Sequence, residues 1–159
     1  MLLLLVIVVT TVALIGTLFV KAFKIQRGMK THYLTLLNAE TAARGLMDYI
    51  SSHNGTLPFN CTTATGLPCT QGCGSTTNCI CRVDWNADSV LANLKVAVEN
   101  ATNVKGTLSA YLLRNCTSGS STMHLMKVVL EGWDGDLATV YFAYNSSNNG
   151  VEFPLYFEY

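Results

Sequence analysis

No proline occurs in the first 57 residues of this 159-residue chain, and no charged residue occurs in the first twenty. The first absence removes the usual helix breaker, so residues 1–53 can run as one helix. The second leaves MLLLLVIVVTTVALIGTLFV apolar on every side, which only lipid or protein can cover. An excess of either charge is also missing, with ten basic and ten acidic residues, so the chain as a whole argues for no nucleic acid. Catalytic patterns are absent. His32, His53 and His124 lie far apart with no nucleophile motif, and no glycine-rich phosphate loop occurs. An enzyme is not expected, and neither is a cofactor. Cys69-x3-Cys73-x5-Cys79-x-Cys81 contains no C-x2-C pair, so no zinc site is expected. Asp134-Gly-Asp136 reads as a turn, with calcium the one cation its two carboxylates could attract.

What is present falls into two parts. Residues 1–24 form an apolar segment, and residues 25–159 form a head. Twenty helical residues rise about 30 Å, enough to cross a bilayer core. Met1 opens directly on leucine with no basic n-region, and Lys21-Ala22-Phe23-Lys24 is not a small-residue cleavage site, so a retained segment is expected. Thr10, Thr11, Gly16 and Thr17 are its small or hydroxyl positions, where helices can approach closely. Gly16 is also the expected point of local unwinding. Lys21, Lys24, Arg27 and Lys30 follow with no acid among them, leaving six basic against ten acidic residues elsewhere, a net of −4.

Residues 25–53 continue the helix, making a rod of about 80 Å in all. Leu36, Ala39, Ala43, Leu46 and Ile50 fall at spacings of three and four on one stripe, widened by Tyr33, Ala42 and Met47. Ser51, Ser52, His53 and Asn54-Gly55 stop it. Residues 54–83 read as a loop too poor in apolar side chains for a core of its own. It holds Cys61, Cys69, Cys73, Cys79 and Cys81, with Cys116 remote; at least one disulfide should tie it to the sheet, and six cysteines allow fifteen pairings. Residues 84–101 read as a short helix capped by Asp84 or Asn86, with Val90, Leu91, Leu94, Ala97 and Val98 on its apolar face. Residues 107–159 read as a four-stranded antiparallel sheet with strands 107–114, 122–131, 137–145 and 151–159; Pro154 predicts an edge position for the last. The expected fold class is α+β.

Five N-x-[ST] sequons, at Asn54, Asn60, Asn100, Asn115 and Asn145, accompany the even cysteine count and predict an oxidising, non-cytosolic compartment with N-linked glycans. The basic stretch 21–30 predicts the opposite side of a membrane. A basic leader preceding Met1 would reconcile the two.

This layout resembles the type IV pilin-like subunits, bacterial or archaeal. Asn38-Ala-Glu-Thr-Ala-Ala-Arg-Gly-Leu-Met47 is similar to a helix segment of some minor pilins and pseudopilins. The chain departs from the common pattern in starting at Met1, in having Leu5 where bacterial major pilins have glutamate, and in having Ala22 where a proline is frequent. The resemblance implies a cell-surface filament for adhesion or attachment. The subunit would wait in the cytoplasmic membrane, be handled by assembly machinery and polymerise with its own copies through Leu3, Leu5, Val8, Leu14, Gly16 and Phe19. Lys21, Lys24, Arg27 and Lys30 could pair with Glu40 and Asp48 of another subunit. The alternatives are a single-pass membrane glycoprotein whose ectodomain binds a partner, and a minor pilin or pseudopilin of a secretion or DNA-uptake machine.

Overall fold

A computed structural model describes residues 2–69, 79–101, 106–118, 121–132, 135, 137–146, 150–151 and 156–158. Cys73, Asp134, Asp136 and Pro154 lie outside the described residues. The fold is α+β. The chain forms two compact units, Met1–Tyr33 and Leu34–Tyr159. Helix α1, Leu2–Ser52, supplies the whole of the first and opens the second. It passes unbroken through Gly16.

In the second unit, Ala39, Ala43, Leu46 and Ile50 are fully buried and Leu36 is partly buried against them. Ala42 and Met47 widen the stripe as the spacing predicts. Tyr33 does not: it is 63% exposed, while Thr35, two residues on, is already buried. The helix stops where Asn54 and Gly55 adopt left-handed φ values of 54° and 72°, and the Gly55 N–H returns to the Ile50 carbonyl at 2.9 Å.

Among the described residues the sheet has seven strands, in place of the four expected. Strands β1 (Phe59–Thr63) and β2 (Cys79–Val83) are followed by α2 (Ser89–Asn100). Strands β3 (Thr107–Ser118), β4 (Ser121–Glu131), β5 (Leu137–Asn145), β6 (Gly150–Val151) and β7 (Tyr156–Glu158) complete the chain. Pairing is antiparallel throughout, in the order β1-β2-β3-β4-β5-β6, with β7 also on β5. Two corrections follow. The stretch 54–83 is not all loop, because Cys79-Ile80-Cys81-Arg82-Val83 alternates buried and exposed and carries β1 on its edge. Of the fourth expected strand, 151–159, the described residues are Val151 and Tyr156–Glu158, and both pieces pair with β5.

Disulfides make up for what β1 and β2 lack in apolar area. Cys61 and Cys81 stand directly opposite each other on the two strands and are bonded, and Cys69 is bonded to Cys79. Closing loops of this size contributes roughly 3 kcal/mol each in the chain-entropy account. Cys116, on β3, is also disulfide-bonded, to a partner outside the described residues.

Helix α2 starts later than either cap the sequence offers. Asp88 is the N-cap, its carboxylate accepting the Val90 N–H at 2.6 Å. Asp84 accepts the Asn86 N–H at 3.1 Å and closes the preceding turn. Leu91 and Val98 face the core. Leu94 lies on Gly45 of α1, so the two helices touch where α1 has no side chain. At the far end of α2, Glu99 accepts the Leu108 N–H at 2.8 Å and ties the helix to β3.

Gly106 precedes β3 against the backbone of β4, and an added Cβ would overlap the Glu131 carbonyl oxygen. Backbone cannot yield as a flexible side-chain tip can. Gly106→Ala should therefore cost about 1–3 kcal/mol, read as a lower urea midpoint at unchanged slope.

His124 of β4 stacks on Tyr144 of β5, with ring centroids 4.5 Å apart. Burial holds the His124 imidazole below its ordinary value and pushes the Tyr144 phenol well up. The unfolded chain therefore takes up the histidine proton first as pH falls. The contribution of His124 to stability is full above about pH 6.5 and is lost as pH drops from there toward its folded pKa. His124→Phe should shrink the difference in Tm between about pH 7.5 and about pH 5; an unchanged difference would assign the pH dependence elsewhere.

Candidate assembly surface

From Val6 to Val20, ten large apolar side chains stand 51–68% exposed on α1, and the window is 0% buried within the protein. They occupy every side of the helix, so no single groove can accept them. The three threonines among them do not interrupt this surface. Thr10 donates to the Val6 and Ile7 carbonyls, Thr11 to those of Ile7 and Val8, and Thr17 to that of Leu14, all at 2.8–3.0 Å. Each hydroxyl is satisfied by its own helix, so embedding the segment strands no donor. An added Cβ at Gly16 would meet nothing, so among the described residues that position is a gap in the side-chain surface. The mean hydropathy of 2.2 and the length suffice for a membrane span. Val8, Leu14, Gly16 and Phe19 all lie on this surface. Leu3 and Leu5 are helical, and their side chains lie outside the described residues.

Lys21, Lys24, Arg27 and Lys30 follow, all exposed, and among the described residues none of them forms a salt bridge. Of the two acids expected to face them, Asp48 is exposed on α1. Glu40 already has a partner: Arg44 donates to it from Nε at 2.9 Å and from Nη2 at 2.7 Å. That pair joins neighbouring turns of one helix at the surface. It is worth a few tenths of a kcal/mol, so a new cation could displace it.

No group of three metal-ligating side chains occurs among the described residues. The calcium expectation at Asp134 and Asp136 falls outside them. His53 stacks on Tyr49 at 3.9 Å and His124 on Tyr144, which leaves both rings in packing contacts.

The sequons separate by exposure. Asn54, Asn60 and Asn100 are exposed, at the end of α1, on β1 and at the last residue of α2. Asn115 is half-buried, and among the described residues its Oδ1 has no hydrogen-bond partner. Asn145 is 5% exposed. A sugar cannot be joined to an amide nitrogen that the fold covers. Glycopeptide mapping should find Asn54, Asn60 and Asn100 modified and Asn145 bare; a fully occupied Asn145 would contradict this ordering.

Comparison of the chain with known protein families, with curated proteins and with solved structures gives no match. The likeness to pilin subunits therefore rests on architecture. A long apolar N-terminal helix, continued as the spine of an antiparallel sheet domain with disulfides, is compatible with that class.

Proposed function

We propose that the chain is the structural subunit of an extracellular filament, held in a membrane by its apolar segment before assembly. One observation carries this reading: residues 6–20 expose apolar side chains all round, while the head has a complete core of its own. Burying such a segment is worth some tens of kcal/mol gross at about 25 cal/mol per Å². It has two stable homes, the bilayer and a bundle of its own copies. Copies stacked head to tail bury each segment against the next without closing, which makes a filament. The cations at 21–30 then emerge beside the acidic heads of neighbouring copies, where Asp48 is exposed, and set the axial register.

Deleting residues 1–24 should give a soluble, monomeric head, and a truncated protein that still polymerised would sink the proposal. The second reading, a single-pass membrane glycoprotein with a binding ectodomain, is favoured by the same hydropathy. Electron microscopy of sheared surface material separates them, showing filaments under the first and none under the second.

A further inference from the structure

The outer face of the sheet carries a row of side chains that strand pairing places in line. Asn60 is opposite Arg82, Arg82 opposite Tyr111, Tyr111 opposite Lys127, and Lys127 opposite Tyr141. Directly opposed residues share a face, and the buried neighbours Cys81, Leu112, Met126 and Phe142 hold the other one. The row alternates cation and aromatic ring. The Arg82 guanidinium lies 5.5 Å from the centroid of Tyr111, and the Lys127 ammonium 5.8 Å from that of Tyr141. Arg82 is exposed, and Tyr111, Lys127 and Tyr141 are half-buried. Two clefts open along the row. One, of about 480 Å³, is lined by Asn60, Thr62, Arg82 and Lys95; the next, of about 410 Å³, by Ile80, Tyr111 and Lys127.

Asn60, at the head of this row, is the exposed acceptor of the sequon Asn60-Cys61-Thr62. We propose that the N-linked glycan of Asn60 folds back over the sheet along Arg82, Tyr111, Lys127 and Tyr141, and that it carries acidic sugars. Strands lie about 4.8 Å apart, so successive positions of the row follow at nearly the interval of successive pyranose rings in an extended chain. Asn60 to Tyr141 spans about 19 Å, within reach of an oligosaccharide of a few rings. The C–H faces of pyranoses pack on tyrosine rings, and the two cations, two strands apart, match carboxylates on alternate sugars. A local excess of cations on residues 34–159, whose net charge is −4, selects an anionic occupant. The inference rests on the extracellular reading, because the sugar must be attached there.

Glycopeptide mass spectrometry of the native protein, with tyrosine nitration mapped on the intact fold, tests it. The expected result is an acid-bearing glycan on Asn60. Tyr111 and Tyr141 should then be nitrated several-fold faster in Asn60→Gln and in Thr62→Val, which removes the sequon and keeps the β-branch. Asn54→Gln should leave their rates unchanged, and Tyr144, 1% exposed, should stay unreactive in all variants, which shows that none has unfolded. A bare Asn60 on a chain glycosylated at Asn54 or Asn100 overturns this proposal alone. A chain without any glycan removes the sequon support for the extracellular reading as well. Equal nitration with and without the Asn60 sugar overturns the docking, and a wholly neutral glycan overturns the ionic part.

Discussion

Leu14→Arg should abolish filaments while leaving the chain in the membrane fraction and the Tm of the head unchanged. Leu14 is 63% exposed on α1, in the unit that ends at Tyr33, so the new side chain disturbs no packing of the single chain. Magnitudes separate the two homes of the segment. Residues 1–20 contain fourteen Leu, Ile, Val and Phe residues, together worth about −4 to −8 kcal/mol on the insertion scale, against about +3 for one central arginine. Insertion therefore survives, helped by a long side chain that reaches toward the headgroups. A bundle of copies offers no headgroups and no counter-charge, because the first twenty residues contain no acid. Each guanidinium would face the guanidinium of the next copy. A loss of several kcal/mol per contact exceeds a hundredfold in affinity, repeated at every subunit. Fractionation, electron microscopy and calorimetry of one variant read all three outcomes. Normal filaments from Leu14→Arg would place this residue outside the assembly contacts.

Leu46→Ala should destabilise the head by about 2–5 kcal/mol. Leu46 is fully buried and among the largest such side chains, and it lies on the half of α1 that the sheet covers. Domains of this size are stable by about 5–15 kcal/mol, so at the middle of both ranges the loss is about a third of the total. Leu37, nine residues earlier on the same helix but 44% exposed, provides the contrast. Leu37→Ala should stay within about 0.5 kcal/mol. Urea unfolding of both variants tests whether residues 34–52 belong to the head as its spine. Equal effects would mean that the stripe carries no more of the core than its exposed flank.

Local signals made much of this fold legible. The spacing of Leu36, Ala39, Ala43, Leu46 and Ile50 gives the buried face, and Asn54-Gly55 gives the stop. The turns around β5 mark Leu137–Asn145 to the residue. Non-local pairing was the harder part. Strands β1 and β2 hide because three of their inward positions are cysteines and most of their outward ones are Asn, Thr and Arg, a composition that reads as loop. Asp84, Asn86 and Asp88 can all cap a helix; Asp84 is taken by its own turn, which tertiary context decides. The hydroxyls of Thr10, Thr11 and Thr17 bond to carbonyls one turn back, a local contact that their spacing on a helix already implies. The outer row of Arg82, Tyr111, Lys127 and Tyr141 has no local signature, since its members come from four strands and meet only through register.

The central claim is that the apolar helix is the polymerisation element and the head its folded cargo. A helical reconstruction of surface filaments at side-chain resolution tests it most directly. The account predicts residues 6–20 of each copy packed against the same residues of its neighbours, with Lys21 to Lys30 emerging beside the acidic heads of other copies. A filament joined only through residues 34–159, or surface material that contains this chain and no filament, would contradict it.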